Sequence, residues 1–346
     1  MQALILAGGE GTRLRPLTAN TPKPIVPIGN EPFLVRQIQA LKNAGVTDII
    51  LSTGYQPRAI EKALGDGSIY SVRLRYLVEP APLGTAGAYK FAEQFLKTTT
   101  LVLNGDILTD INLSAVAEQH KKHRAAATIV LTEVEDPSAY GLVEVGENSE
   151  VLRFLEKPPA EELTQININT INAGIYILEP KVLDGIPKNE NYSFEYGVFP
   201  GLLERGENFR AFIARDAYWL DIGTPQRYLQ AHRDLMSGKI KNFEINRAGK
   251  FNQSANSEID AKSCIADDCV IKPNARIINS VLGKGVVIAE NSIVRNSVIW
   301  SGTRVNSDTR VFDSIIGSDC RIGNNVRLNS GVVLGDRTEV ANFTCR

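Results

Sequence analysis

A surplus of either charge is missing from this chain: its 346 residues hold 38 lysines and arginines against 39 aspartates and glutamates, a net charge of −1. No whole-molecule field therefore draws in nucleic acid or an anionic membrane, and any anion binding has to be local. Long apolar runs are missing too. No stretch approaches the roughly 20 apolar residues of a membrane span, which makes the cytoplasm the expected compartment. The opening run Met1-Gln2-Ala3-Leu4-Ile5-Leu6-Ala7-Gly8 lacks a basic n-region and is short for a signal peptide, so it reads as a buried strand. The four cysteines, Cys264, Cys269, Cys320 and Cys345, contain no Cys-x-x-Cys pair and no histidine at zinc-site spacing, and are expected to be reduced, buried thiols. Histidine is scarce as well: His120, His123 and His232 stand in polar helical surroundings and are expected on the surface.

The length points to two domains, each able to bury its own core. Through about residue 238, apolar runs alternate with helical patterns. Residues 3–7, 48–52, 73–78 and 100–104 read as strands; 33–43, 59–64, 85–96 and 113–123 place apolar residues at helical spacing. That alternation is the mark of parallel strands with crossover helices, an α/β fold. The strands expected next, 126–134, 141–145, 151–156 and 172–178, have few helices between them and are expected to form a strand-rich extension that covers one side of the sheet as a lid or pocket wall.

From about residue 260 aliphatic residues recur every six positions. Ile265, Ile271 and Ile277 form one run, Leu282, Ile288, Val294 and Trp300 another, and Ile316, Ile322, Leu328, Leu334 and Val340 a third. Ile299, Val305 and Val311 continue the rhythm with a one-residue slip. A six-residue period with small, polar, Gly and Asn residues between predicts a hexapeptide β-helix of stacked coils. The expected domains are 1–238 and 261–346, joined by a polar connection over 239–260.

Gly8-Gly9-Glu10-Gly11-Thr12-Arg13 follows the first strand directly, where ligands of open α/β sheets bind. Its glycines allow backbone N–H groups to approach phosphate oxygens, and Arg13 can bond them bidentately. The pattern is neither G-x-x-x-x-G-K-[ST] nor G-x-G-x-x-G. Leu14-Arg15-Pro16-Leu17-Thr18 and Pro22-Lys23-Pro24 follow, with Lys23 fixed between prolines as a second charge facing the cradle.

The segment from Gly8 to Pro24 resembles the signature of the sugar-1-phosphate nucleotidyltransferases, the nucleotide-sugar pyrophosphorylases. The resemblance implies a Rossmann-like mixed sheet followed by a left-handed parallel β-helix. It implies that Arg13 and Lys23 bind the triphosphate and the leaving pyrophosphate, with Leu6, Ala7, Gly8, Gly9, Gly11 and Thr12 lining the nucleotide. Glu79-Pro80-Ala81-Pro82-Leu83-Gly84-Thr85-Ala86-Gly87 resembles the nucleobase loop, which assigns Glu79, Pro82, Leu83, Gly84 and Thr85 to nucleotide binding together with Gly54. Thr85 is also placed to cap the helix that follows.

Leu101-Val102-Leu103-Asn104-Gly105-Asp106 ends a strand on a carboxylate suited to Mg²⁺, which takes one or two carboxylates and completes its shell with phosphates and water. Asp221, in Trp219-Leu220-Asp221-Ile222-Gly223-Thr224-Pro225, is the expected second carboxylate, and the family resemblance favours the metal role for both, with Asp106 catalytic. For the sugar phosphate, Asn104 and Gly105, Tyr140-Gly141, Glu156-Lys157 and Asn172-Ala173-Gly174 resemble the family's pocket, Glu156 and Asn172 reading hydroxyls and Lys157 the phosphate.

A sugar 1-phosphate is already close to a dianion at neutral pH, its second pKa being about 6, so no general base is needed. Catalysis then rests on bringing two anions together and screening charge. The motifs together look most like mannose-1-phosphate guanylyltransferases with a C-terminal repeat domain, implying GTP and mannose 1-phosphate. Two departures stand out: Tyr196-Gly197 where that group tends to have Lys-Glu, and a long insertion over Pro158–Asn169. Glucose-1-phosphate uridylyl- or thymidylyltransferases share the remaining signature. An acyltransferase lacks its coil histidine, since none follows His232, and a non-catalytic nucleotide-sugar sensor is the other class. The repeats are expected to support oligomerisation or regulation, with at least a homo-dimer, and no nucleic acid or membrane partner is implied.

Overall fold

The computed structural model describes all residues except Glu135, Ala139, 157–167, Asn242, Glu244, Asn246, Ala248 and Arg346. It forms two compact units that do not follow chain order. One comprises Met1–Gly9 and Arg36–Trp219, the other Glu10–Val35 and Leu220–Arg346.

The first unit is built on a nine-stranded mixed sheet. Gln2–Ala7 lies between Asp48–Thr53 and Thr100–Asn104, parallel to both, and Arg73–Val78 continues the parallel edge. In the three inner strands, buried positions run almost without a break through Leu4, Ile50 and Val102, as expected of parallel strands covered on both faces, while the edge strand Arg73–Val78 is mostly half-buried or exposed. Helices Phe33–Asn43, Pro57–Leu64 and Leu113–His123 fall where the apolar spacing placed them, while the one expected over 85–96 runs from Gly84 to Phe91 and gives way to a 3₁₀ turn at Glu93–Phe95. The later strands depart from expectation. Instead of covering a face, they extend the sheet: Thr170–Leu178 pairs antiparallel with both Thr100–Asn104 and Ala127–Glu133, and Gly141–Val145 and Val151–Glu156 complete that edge. Their buried residues, among them Ile129, Val143, Val151 and Tyr176, join the same core as Leu4 and Ile50.

The ladder along Thr170–Leu178 is interrupted once. Asn172 stands opposite Leu131 and Tyr176 opposite Ile129, so three residues on one strand, Ala173, Gly174 and Ile175, face one on the other, Val130. Gly174, at φ +71°, takes the left-handed conformation that this bulge demands.

In the second unit, sixteen two- and three-residue strands stack into three parallel sheets, the walls of a β-helix. Ile265, Ile271 and Ile277 each belong to a different wall, so a six-residue step moves to the next wall and not along one. The interior is a column of aliphatics from Ile265 to Leu334. The one-residue slip has a visible cause: Arg276–Ile278, Ile293–Arg295 and Arg310–Phe312 each end in a tight corner, Asn279-Ser280, Asn296-Ser297 or Asp313-Ser314. The Asn and Asp residues there have φ of 46–50°, which they tolerate better than other side-chain-bearing residues. They also ladder between coils, Asn279 Nδ2 donating to Asn296 Oδ1 and Asn296 Nδ2 to Asp313 Oδ1.

Stacking begins inside the stretch expected as a connection. Asn252–Gln253 pairs with Val270–Ile271 and Glu258–Ile259 with Arg276–Ile277. Trp300 also departs from its expected place, because Ile299 fills the interior position and Trp300 follows it at the corner. Cys264, Cys269 and Cys320 are buried thiols as expected; Cys345 is exposed.

Two histidines correct the surface expectation: His120 and His232 are buried, 4% and 1% exposed, and only His123 reaches the surface in part. Their helices look polar because the neighbours that share no face with them are charged. His120 bonds Thr128 and Glu179, while His232 donates Nδ1–H to Tyr228 O at 3.0 Å. Burial drives the His232 imidazole down to a pKa of about 4, against hydrogen bonds to the Tyr228 and Pro27 carbonyls.

Candidate active site

In the first unit, glycines bring the strand ends together. Gly105 N donates to Leu6 O at 2.9 Å, and a Cβ on Gly105 would stand 2.6 Å from that oxygen. A Cβ on Gly54 would stand 2.9 Å from Gly8 O, and one on Gly8 2.8 Å from Glu79 Oε1. Leu6, Ala7, Gly8, Gly54, Asn104 and Gly105 thus form one packed backbone edge, with Asp106 half-buried in the turn beyond Asn104.

Glu79 has a role that sequence reading did not supply. Oε1 accepts from Ser52 Oγ at 2.8 Å and Oε2 from Leu83 N at 3.2 Å, so the carboxylate fastens the Glu79–Leu83 strap to the sheet. Thr85 is not the helix cap. The Ala86 and Gly87 N–H groups at the start of Gly84–Phe91 go to Tyr192 O at 2.9 and 3.0 Å, while Thr85 Oγ1 donates to Glu195 Oε2 and accepts from Phe194 N, both at 2.9 Å. Pro82 O accepts from Asn191 Nδ2, which joins the strap to the same segment.

Glu195 is the centre of a network the sequence reading missed. It sits in the π-helical turn Phe194–Val198, a form of backbone that recurs at functional sites. Tyr176 OH donates to Glu195 Oε1 at 3.3 Å and accepts from Asn172 Nδ2 at 2.9 Å, and Asn172 Oδ1 takes the N–H of Gly174. Burial, then the neighbouring Glu195 charge, push the Tyr176 phenol well up and keep it neutral. The Asn104 side chain lies against Gly174, 2.7 Å from where a Cβ would be, and its Oδ1 is buried with no hydrogen-bond partner. Glu156 pairs in register with Gly141 and packs on it; Trp219 Nε1 donates to Ala173 O at 2.9 Å with Tyr140 against its edge. The expected sugar-side residues Asn104, Gly141, Glu156, Asn172 and Gly174 therefore stand on or beside the bulged strand and its neighbours. Lys157 lies outside the described residues, as does most of Pro158–Asn169.

In the second unit, Gly11 at φ +64° turns the chain, its carbonyl accepting from Thr18 Oγ1 at 2.8 Å and Leu14 N at 3.0 Å. A Cβ there would stand 3.0 Å from Lys23 Cβ. Lys23 is buried, 8% exposed, and its ammonium lies 3.7 Å from Asp221 Oδ1. Arg227, in the first turn of the helix capped by Thr224 and opened by Pro225, donates Nη1–H to Asp221 Oδ2 at 3.1 Å. A Cβ on Gly223 would touch both Asp221 Oδ1 and the Arg13 guanidinium, at 2.8 Å each. Arg13, Lys23 and Asp221 are thus together, joined by Arg227, whose place two residues after the Gly-Thr-Pro corner, in the first turn of the helix, was the available signal.

Asp221 Oδ1 is buried and makes no hydrogen bond. A carboxylate oxygen that accepts no hydrogen bond suits Mg²⁺, which takes one or two carboxylates and fills its shell from substrate phosphates and water, with Lys23 3.7 Å away as the competing cation.

A nucleotidyl transferase family model matches residues 2–238, and a model described as the EIF2B subunit epsilon LbH domain matches 244–344. The C-terminal stack is accordingly a left-handed β-helix. The mannose-1-phosphate guanyltransferase of Schizosaccharomyces pombe is 41% identical over 276 residues, 78% of this chain and 74% of that protein. The mannose-1-phosphate guanylyltransferase of Mycobacterium tuberculosis is 38% identical over 69% of this chain and 65% of that protein, so the chain spans somewhat under two thirds of its length. HddC from Yersinia pseudotuberculosis, also solved complexed with GMP-PN, has a TM-score of 0.58 and is 31% identical over 68% of this chain and 99% of that one. A putative glucose-1-phosphate thymidylyltransferase from Bacillus anthracis shares the fold, with TM-score 0.62 and 24% identity over 72% of this chain and 98% of that one.

Proposed function

The chain belongs to the nucleotidyl transferase family, and on that premise we propose that it transfers a guanylyl group from GTP to mannose 1-phosphate, releasing pyrophosphate and forming a nucleotide sugar. The observation that carries this reading is the Asp221 cluster, where a carboxylate oxygen that accepts no hydrogen bond stands beside the buried Lys23 ammonium and the Arg13 guanidinium. Support for the base and the sugar comes from the guanylyltransferase relatives and from the GMP-PN complex of HddC.

In the proposed reaction a phosphate oxygen of the sugar phosphate attacks the α-phosphorus, the new P–O bond forms, and the bond to the β-phosphate breaks with its electrons leaving on pyrophosphate. Arg13 and Lys23 bind the triphosphate and neutralise charge on the leaving group. The glycine edge Gly8, Gly54, Gly105 lets substrate approach backbone, and the Glu79–Thr85 strap carries the base. Asn172, Glu156 and Glu195 read sugar hydroxyls, and Lys157 meets the sugar phosphate. Asp106 and Asp221 are the carboxylates that would offer oxygens to Mg²⁺, which would supply Lewis-acid screening of the phosphates.

Catalytic residues within 1–238, a homo-oligomer and a cytoplasmic location complete the proposal; among the described residues no helix is long and apolar enough to cross a membrane. Pyrophosphate release, assayed with four nucleoside triphosphates against mannose and glucose 1-phosphates, tests it. GTP with mannose 1-phosphate is expected to be the best pair. Uridine or thymidine triphosphate with glucose 1-phosphate as the best pair replaces the substrates, and no turnover with any pair overturns the reading.

A further inference from the structure

Leu282, Ile299, Ile316 and Leu334 are in register along one wall of the β-helix. The residues that follow them are therefore equivalent corner positions: Gly283, Trp300, Gly317 and Gly335. Three glycines flatten this row. With Ala266 after Ile265 in the same row, Trp300 alone carries a large side chain there, and its direction is specific: 3% exposed, it donates Nε1–H to Tyr228 OH at 3.0 Å. Tyr228, fully buried, donates its own hydroxyl to Pro27 O at 2.5 Å. The chain Trp300 to Tyr228 to Pro27 runs within the second unit from a β-helix coil to the segment that follows Lys23.

Pro27–Ile28 and Glu31–Pro32 form a small antiparallel ribbon, tied to the Lys23 turn by Val26 N to Lys23 O at 3.2 Å and Phe33 N to Val26 O at 3.0 Å. The ribbon tip is fixed to the preceding coil as well, Asn30 Nδ2 donating to Leu282 O at 3.1 Å. Farther along the same row, Pro16 packs on Gly335 and Asn20 Nδ2 donates to Asp336 Oδ2 at 3.2 Å. Tyr228 stands one turn beyond Thr224, on the helix whose Arg227 holds Asp221. One hydroxyl is thus fixed to both groups of the cluster, to Lys23 through the ribbon and to Asp221 through the helix.

We propose that Trp300 is a positioning residue for triphosphate binding: through Tyr228 it fixes the Pro27 ribbon and so the placement of Lys23 against Asp221, which makes the β-helix a working support of the nucleotide loop and not only an assembly module. Its kinetic consequence rests on the nucleotidyl-transfer reading, while its structural consequence does not.

Tyr228→Phe keeps the ring and removes the hydroxyl that accepts from Trp300 and donates to Pro27, while Trp300→Phe removes the Nε1–H donor and shrinks the indole to a phenyl ring. In the full chain, amide hydrogen exchange over residues 22–33 is expected to accelerate in both, by about the 2- to 10-fold that one hydrogen bond is worth, with strands 2–7 and 100–104 unchanged. The triphosphate KM is expected to rise by a similar factor, about 5-fold, with kcat within about twofold of wild type. The double variant is expected to be little worse than the worse single one, because both act on one relay. Ile288→Val, which loosens the β-helix interior away from the relay, is expected to lower the melting temperature and leave the triphosphate KM alone. Unchanged exchange over 22–33, or a KM that shifts equally in Ile288→Val, overturns the proposal. A wild-type chain that turns over no triphosphate defeats only the functional reading, since the exchange comparison still decides the relay.

Discussion

Glu79 and Asp221 each stand beside glycine-rich backbone, one in each compact unit, and their oxygens are used differently. Both oxygens of Glu79 accept from the chain itself, from Ser52 and Leu83. One oxygen of Asp221 is taken by Arg227, and the other, though buried, makes no hydrogen bond. That oxygen faces the Lys23 ammonium at 3.7 Å, an ion pair beyond hydrogen-bond length, so no donor of the chain occupies it as Ser52 and Leu83 occupy Glu79. The difference separates a carboxylate that shapes the site from one that is available to it.

The largest expected effect is at a carboxylate proposed to hold the metal. Asp106→Asn is expected to lose turnover by about 100-fold or more, the scale of one preorganised electrostatic contact, with its circular dichroism spectrum and melting temperature close to wild type. Near wild-type Mg²⁺-dependent activity in that variant defeats the metal assignment.

The next effect concerns pH. His232 in the second unit has a folded pKa of about 4 against 6.5 unfolded, so its contribution is complete above pH 6.5 and is lost as pH falls toward 4. Burial lowers His120 in the first unit in the same sense. Denaturant melts between pH 7 and 4 are expected to lose about 3 kcal/mol to His232, and His232→Gln to flatten that dependence. An unchanged slope in the variant shows that the imidazole is not the cause.

Glu79→Gln turns an acceptor oxygen into a donor nitrogen beside Ser52 or Leu83. A stability loss of about 1–2 kcal/mol is expected in urea melts, with kcat reduced far less than in Asp106→Asn. The smallest effect is expected for Thr85→Val, which takes a donor from Glu195 and an acceptor from Phe194 N: about 1 kcal/mol, seen as a raised sugar-phosphate KM. A loss confined to melting temperature makes the Glu195 network structural only.

Much of this was legible in the sequence because it depends on short-range pattern. The strands from Gln2 to Asn104 announce themselves by apolar continuity, and the β-helix by its six-residue step. What escaped depends on distant partners. No local pattern shows that Glu10–Val35 packs with Leu220–Arg346, or that Glu195 meets Tyr176 and Thr85. Counting by sixes carried Trp300 into the interior because Asn296-Ser297 shortens the corner by one residue, which only register reveals. His120 and His232 were misread for a related reason: charged neighbours on a helix say little about the one face that packs inward. Arg13, Lys23 and Asp221 were found as separate motifs, and the geometry joins them through Arg227 and Gly223.

The two carboxylates can be set against each other in one assay. Pyrophosphate release from GTP and mannose 1-phosphate is measured for Asp221→Asn and Glu79→Gln at equal enzyme, Mg²⁺ and substrate. The expected result is a loss of about 100-fold or more in Asp221→Asn and of less than about 10-fold in Glu79→Gln. Equal losses, or near wild-type release by Asp221→Asn, contradict the account.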